Sequence, residues 1–143
     1  MSENAMTQEM INVLIQQAIR TRQNSYAPYS NYHVGAALLS EDGMIYTGVN
    51  VENASYPAGI CAERTAFCKA VSEGQRVFQA IAIVGGKSDE PVGEYCLPCG
   101  ICRQFMSELC GDDFQVIAAR STEDYQVFRL EELLPNAFYL KKN

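Results

Sequence analysis

Basic side chains are scarce: 11 Lys and Arg stand against 17 Asp and Glu, for a formal charge of −6, and no Lys/Arg block occurs beyond the terminal Lys141-Lys142. A nucleic-acid backbone is normally met by a basic surface, so DNA and RNA are disfavoured as partners. No apolar run reaches bilayer-spanning length, and Met1 to Glu9 is polar where an export signal would place a basic stretch followed by an apolar core. No membrane association is expected, and cytoplasmic residence is. Internal repeats and flexible interdomain linkers are also missing. A length of 143 residues suits one substantial core and is short for two, so a single domain over residues 1–143 is expected.

Histidine is nearly absent, with His33 alone, whereas cysteine occurs six times. Without an export signal the cysteines are expected to be reduced rather than disulfide-bonded. Two stretches concentrate them: Cys61-Ala62-Glu63-Arg64 and Pro98-Cys99-Gly100-Ile101-Cys102-Arg103. Cysteines three apart can face one metal from a tight turn or a first helical turn, and a third from a distant segment closes the site in space. Three thiolates leave a zinc ion one position short of a closed tetrahedron, which is room for a water. Glu63, two residues after Cys61, lies close enough to that opening to shuttle a proton without being a ligand. The two motifs together read as hydrolytic machinery. The competing reading is a closed structural zinc site, since Cys96, Cys99 and Cys102 repeat at three-residue spacing and Cys96 can supply a fourth sulfur. Cys68 and Cys110 read as small core residues.

Around these motifs the pattern is mixed α and β. Thr7 is placed to cap a first helix ending near Asn24, with Met10, Val13, Leu14, Ala18 and Ile19 as its apolar stripe. A hairpin follows, from a strand over 33–39 through Asp42-Gly43 to a strand over 45–49. Gly35, Ala36 and Ala37 suit either close packing or a ligand above the sheet. If the extended run persists, Asn50 and Glu52 point to one side, an amide and a carboxylate suited to sugar hydroxyls, although a solvated turn has the same composition. A second helix opens at Cys61 and ends at Gly74. A strand over 80–84 leads to a Gly85-Gly86 turn and a loop from Lys87 to Leu97. A third helix runs from about Cys99 to Leu109, and strands over 114–118 and 125–129 are joined too closely for anything but an antiparallel pair. Helix starts favour thiolates electrostatically, and both cysteine motifs fall there. The earlier strand-helix-strand connections permit parallel neighbours. The expected architecture is a mixed five-stranded sheet with helices on both faces, a three-layer α/β/α fold.

The chain resembles the zinc-dependent cytidine deaminases, in the small form that acts on free nucleosides. Cys-Ala-Glu-Arg matches residues 61–64 and Pro-Cys-Gly-x-Cys-Arg-Gln matches 98–104. The likeness extends through Tyr26-Ala-Pro-Tyr-Ser30, Val34-Gly-Ala-Ala-Leu38 and Asn50-Val-Glu-Asn53 to Glu131-Glu-Leu-Leu-Pro135 and Phe138. The resemblance implies a cytidine deaminase-like fold and hydrolysis of cytidine and deoxycytidine to uridine and deoxyuridine plus ammonia, in pyrimidine salvage. It implies Zn2+ on Cys61, Cys99 and Cys102 and a proton-shuttling Glu63. It assigns Asn50 and Glu52 to the ribose, and Tyr32, where the family usually has Phe, to aromatic packing on the base. Ala62 joins the substrate contacts, and Leu97, in place of the usual Ser or Thr, contributes its backbone carbonyl near the leaving amino group. Arg64 is implied as a hydrogen-bond donor to a ligand thiolate, whereas Arg103 reads as structural. The family's homotetramer implies that Phe138 closes a neighbouring chain's pocket, so that active sites are shared; the apolar tail around Leu133, Leu134, Phe138 and Tyr139 otherwise packs on its own core. Two further readings are a related aminohydrolase acting on another amino-heterocycle, such as an aminoacyl-nucleoside antibiotic, and an inactive structural-zinc or RNA-associated protein.

Overall fold

A computed structural model describes residues 6–87 and 93–142, so part of the expected 87–97 loop, residues 88–92 with Pro91, lies outside the described residues. The chain begins with helix α1 (Gln8–Arg22), capped by Thr7, whose hydroxyl accepts from the Met10 N–H at 3.1 Å. Strands β1 (Tyr32–Ser40) and β2 (Ile45–Val49) form the hairpin, with Gly43 at φ 89° in the turn between them. Helix α2 (Ala62–Ser72), strand β3 (Phe78–Lys87) and helix α3 (Gly100–Leu109) follow. Strands β4 (Gln115–Ser121) and β5 (Asp124–Arg129) and the short helix α4 (Leu130–Leu133) complete it.

The five strands form one sheet in the order β2-β1-β3-β4-β5. Only β3 and β4 are parallel; β1 pairs antiparallel with both β2 and β3, and β4 antiparallel with β5. Of the two helical connections, that through α3 joins parallel neighbours. That through α2 carries the chain past β1, so β3 and β2 flank β1 instead of pairing with each other. The layers follow from strand alternation. Ala37, Leu39, Ala80, Ala82 and Ile117 face α1, whereas Ala36, Leu38, Ile81, Ile83 and Val116 face the side packed by Ala66 and Phe67 of α2 and Met106 of α3.

Several local expectations shift in the folded chain. The buried stripe of α1 is Ile11, Leu14, Ile15 and Ala18, a clean i, i+3, i+4, i+7 face, and Val13 turns outward. Gly85 and Gly86 do not make a turn: they extend β3 and pair with Val34 and His33. A side chain at Gly85 would meet Cys96 Sγ and the Tyr32 ring at 3.0 Å, so glycine there lets the loop that carries Cys96 lie against the strand. The small residues of β1 serve packing. A Cβ on Gly35 would come within 2.1 Å of the Ala18 carbonyl oxygen, and Ala36 and Ala37 are fully buried on opposite faces.

Gly48 is the contact that seats the start of α2 on the sheet. A Cβ there would lie 2.4 Å from the Ala62 carbonyl oxygen and 2.5 Å from the Ala66 nitrogen, both backbone atoms that cannot swing aside. Gly48→Ala is therefore expected to lower stability by about 3 kcal/mol, the upper range for overpacking a core, and to lower zinc occupancy with it, because Cys61 precedes the displaced turn. Denaturant unfolding and metal analysis of the purified variant measure both.

Candidate active site

Cys61 and Cys99 stand immediately before α2 and α3 in extended backbone, and neither side chain caps its own helix, which leaves both sulfurs for other work. Cys102 lies one turn into α3 and is fully buried. The packing of α2 beside α3 brings the three sulfurs within 4.8 Å of one another, with Cys61 and Cys99 Sγ 3.9 Å apart. Tetrahedral zinc with Zn–S bonds of about 2.3 Å holds its sulfurs about 3.8 Å apart, so the donor set has the chemistry and spacing for that ion. Cys96 is not in the cluster, and among the described residues the fold assembles three sulfurs and not four.

The sulfurs of the cluster shift one another's ionisation. The hydrogen bond from Cys102, with help from Arg64, brings the Cys61 thiol down to about 5, and the same contact together with burial pushes Cys102 upward. One thiolate is thus already present near neutral pH. Arg64 Nη2 donates to Cys61 Sγ at 3.6 Å, and the thiolate neighbours in turn raise the pKa of Arg64. Its Nε is buried without a partner. A cationic guanidinium here offsets part of the negative charge that three thiolates gather.

Glu63 is the second residue of α2 and is only 4% exposed. Burial, reinforced by the charge on Cys61, pushes its carboxyl up to about 7. A carboxyl of that pKa both accepts and returns a proton at neutrality, which is the property a shuttle needs. It lines an open cavity of about 610 Å³ together with Cys61, Ala62, Arg64 and Cys99. Asn50, Glu52 and Leu97 line the same cavity, so two of the three clustered cysteines, the buried acid and the expected sugar-binding pair meet in one space.

Asn50 and Glu52 are more heavily engaged than isolated ligand-binding groups. Asn50 Oδ1 accepts from the Val34 N–H at 2.9 Å and from the Ser25 hydroxyl, and its Nδ2 donates to the Tyr32 carbonyl at 2.9 Å, leaving one amide hydrogen for a ligand. Glu52 accepts from the backbone N–H groups of Tyr29 and Ser30 at 3.0 and 3.2 Å and from the Ser30 hydroxyl. That hydroxyl bond foremost holds its carboxyl below the usual carboxylate range, so Glu52 stays anionic.

Two expected contacts lie elsewhere in the single chain. Tyr32 does not line the cavity; its ring packs beside Cys96 and Gly85 against the core, and burial with the neighbouring Cys96 raises its hydroxyl to about 12. Cys96, half-buried, occupies the wall instead. Phe138 is 65% exposed and away from the cavity, held to α3 by Gln104 Nε2, which donates to its carbonyl at 3.1 Å. Arg103 donates to the Pro98 carbonyl at 2.8 Å and to the Leu133 carbonyl at 2.8 Å, tying the second cysteine motif to α4. Sequence reasoning weighed Cys96 as a fourth sulfur rather than as cavity wall, named Ser30 only within a motif, and missed Ser25. The Tyr26-to-Ser30 motif was the signal, but only folding shows it bracing Glu52.

The profile of the cytidine and deoxycytidylate deaminase zinc-binding region matches residues 8–118, a span containing all three cysteines and Glu63. The chain belongs to that deaminase family. A cytidine deaminase of Halalkalibacterium halodurans is 49% identical over 126 residues, 88% of this chain and 92% of that protein. The crystal structure of a cytidine deaminase from Burkholderia pseudomallei superposes with a TM-score of 0.81 at 44% identity, covering 93% of this chain and all of that one. A blasticidin-S deaminase of Bacillus cereus is 32% identical over 109 residues, 74% of this chain and 76% of that protein. In this deaminase the cofactor is zinc, and Cys61, Cys99 and Cys102 are the group that can hold it. No helix among the described residues is long and apolar enough to cross a membrane.

Proposed function

We propose that this deaminase hydrolyses the exocyclic amine of cytidine and deoxycytidine, yielding uridine or deoxyuridine and ammonia. The observation that carries the reading is the placement of a buried Glu63 in the same cavity as Cys61 and Cys99, two members of a zinc-spaced triad of cysteines that Cys102 completes from beneath. When bound, zinc supplies a Lewis acid that lowers the pKa of a water to about 7. Glu63 takes a proton from the attacking water as its oxygen bonds to C4, and delivers that proton to N3 of the ring. The hydroxyl proton then passes through Glu63 to the amine, the C4–N bond breaks, and ammonia leaves. Leu97, at the cavity edge, offers its carbonyl to the departing amine, and the Ala62 backbone contributes to the floor under the base.

On this reading Asn50 and Glu52 hold the ribose, Asn50 with its spare amide hydrogen and Glu52 with its charged carboxylate. The two differ in what else they do. Asn50→Ala orphans the Val34 N–H and Tyr32 carbonyl, at roughly 1–3 kcal/mol for each buried group left unpaired, so it is expected to lower the melting temperature and raise KM together. Glu52→Gln is expected to raise KM with little change in melting temperature. Steady-state kinetics on cytidine and deoxycytidine beside thermal unfolding separate these effects, and unchanged KM in both variants rejects the sugar assignment.

The active particle on this reading is a homotetramer with shared sites. Phe138, Tyr139 and Leu140 are exposed in the single chain, and a neighbour's cavity gives that apolar segment somewhere to go. Tyr32 then contributes to the base pocket from its place beside Cys96. A fully active monomer in sedimentation at assay concentration would remove both the tetramer and the shared site. The three reduced thiols suit a cytoplasmic enzyme. Product analysis with cytidine, deoxycytidine, cytosine, adenosine, cytidine monophosphate and blasticidin S tests the substrate. Conversion of the two cytosine nucleosides in preference to the rest supports the reading, and ammonia release from another heterocycle alone rejects it.

A further inference from the structure

The cavity wall contributed by Cys96 and Leu97 comes from a segment with no secondary structure. Among the described residues, no backbone-to-backbone hydrogen bond reaches positions 93–97. A chain segment without a ladder keeps its place only through side chains, and here these converge on the β4-β5 hairpin. The Tyr95 hydroxyl donates to Asp124 Oδ1, and Arg120 Nε donates to Asp124 Oδ2 at 2.6 Å. Arg120 Nη1 reaches back to the Gly93 carbonyl at 3.1 Å, and its guanidinium lies 5.0 Å from the centre of the Tyr95 ring. Asp124 thus receives both partners, and Arg120 touches the segment at two points, by hydrogen bond and over an aromatic face. The other end of the segment is fixed at Pro98, which is fully buried and accepts from Arg103.

We propose that Tyr95, Asp124 and Arg120 form a latch that positions Cys96 and Leu97 in the substrate cavity, and that they are positioning residues for nucleoside capture. An exposed Arg–Asp pair by itself contributes little. Its function comes from the geometry: the hairpin is a paired element, and the latch ties to it an unpaired loop at Tyr95, the residue immediately before the cavity-lining Cys96. None of the three lines the cavity, so the latch acts through the loop. Glu63 and Cys102 sit on α2 and α3, and Cys61 and Cys99 at the caps that open them, outside the latched segment, and so the consequence falls on binding more than on turnover. This inference rests on the deamination reading for its kinetic consequence, but the geometric consequence stands alone. Releasing the latch opens Cys96, which is half-buried, to solvent.

The experiment uses the full-length zinc-loaded protein and the variants Tyr95→Phe, Asp124→Asn and Tyr95→Phe/Asp124→Asn. Alkylation by iodoacetamide is followed by peptide mass spectrometry, with Cys68, which lies exposed on α2 rather than in the core as its sequence suggested, as the internal reference. Cys96 is expected to label faster relative to Cys68 in each variant, with zinc content unchanged. In the same samples KM for cytidine is expected to rise roughly three- to tenfold, as loss of one hydrogen-bonded contact implies, with a smaller change in kcat. The double variant should be no worse than the more affected single one, because either change opens the same latch. Cys96 labelling at the parent's rate in all three variants overturns the latch, as do KM effects that multiply independently. A parent protein that fails to turn over cytidine rejects the deamination reading instead, and the labelling result still decides the latch.

Discussion

Glu63→Gln gives a folded, zinc-containing protein whose turnover of cytidine falls at least about a hundredfold, within the range that a positioned acid-base group contributes. The substitution keeps the length and shape of a side chain that is 4% exposed at the start of α2, so packing against the sheet survives. It removes the ability to carry a proton. The parent carboxyl is poised for that task because burial disfavours its charge and the neighbouring Cys61 thiolate disfavours it further. An uncharged amide relieves both penalties, so stability is expected to hold or increase slightly while activity collapses. That divergence distinguishes a shuttle from a structural acid. Quench-flow or spectrophotometric turnover, run beside metal analysis and thermal unfolding, measures it, and near-parental turnover at full zinc occupancy eliminates Glu63 from the chemistry.

Cys102→Ala removes activity, zinc and a share of stability in one step. Cys102 is fully buried in the core cluster that holds Phe67 and Met106, and its sulfur belongs to the three-sulfur group. Two sulfurs on separate helix starts make a poor site, and whatever zinc binding contributed to the folded state is lost. At free zinc a hundredfold above Kd that contribution is about 2.7 kcal/mol. Chelation of the parent protein provides the matched measurement. The melting temperature of the chelated parent and that of Cys102→Ala are expected to lie close together, both below the zinc-loaded parent, and added zinc should restore only the former. A variant that retains stoichiometric zinc and turnover would show that Cys102 is not a ligand.

The three-cysteine cluster and the placement of Glu63 beside it were legible in the chain because their geometry is local. Cys99 and Cys102 are one helical turn apart, Glu63 is two residues from Cys61, and each motif starts a helix, so spacing alone limits where those side chains can point. Strand number and the hairpin were legible for the same reason: alternation and the Asp42-Gly43 turn are short-range signals. The α1 stripe was misplaced by a fraction of a turn because its first half is apolar on several faces, and only contact with β1 and β3 selects Ile11 and Ile15 over Val13.

What tertiary structure alone decided depends on residues far apart in sequence. The Gly85-Gly86 pair has the composition of a turn, yet the length of β1 on the neighbouring strand recruits it into the sheet. Tyr32 and Cys96 both pack against Gly85, and only the folded chain shows that Cys96 lines the cavity and Tyr32 does not. Asn50 was visible as a polar group after a strand. Its bonds to Val34, Tyr32 and Ser25 arise only when that strand lies beside β1. The sequence by itself determined the chemistry, since ligand type and spacing are covalent properties of the chain. The shape of the cavity around that chemistry came from strand pairing and from contacts such as those of Asp124 with Tyr95 and of Arg120 with Gly93, which span about 30 residues and leave no periodic trace in the chain.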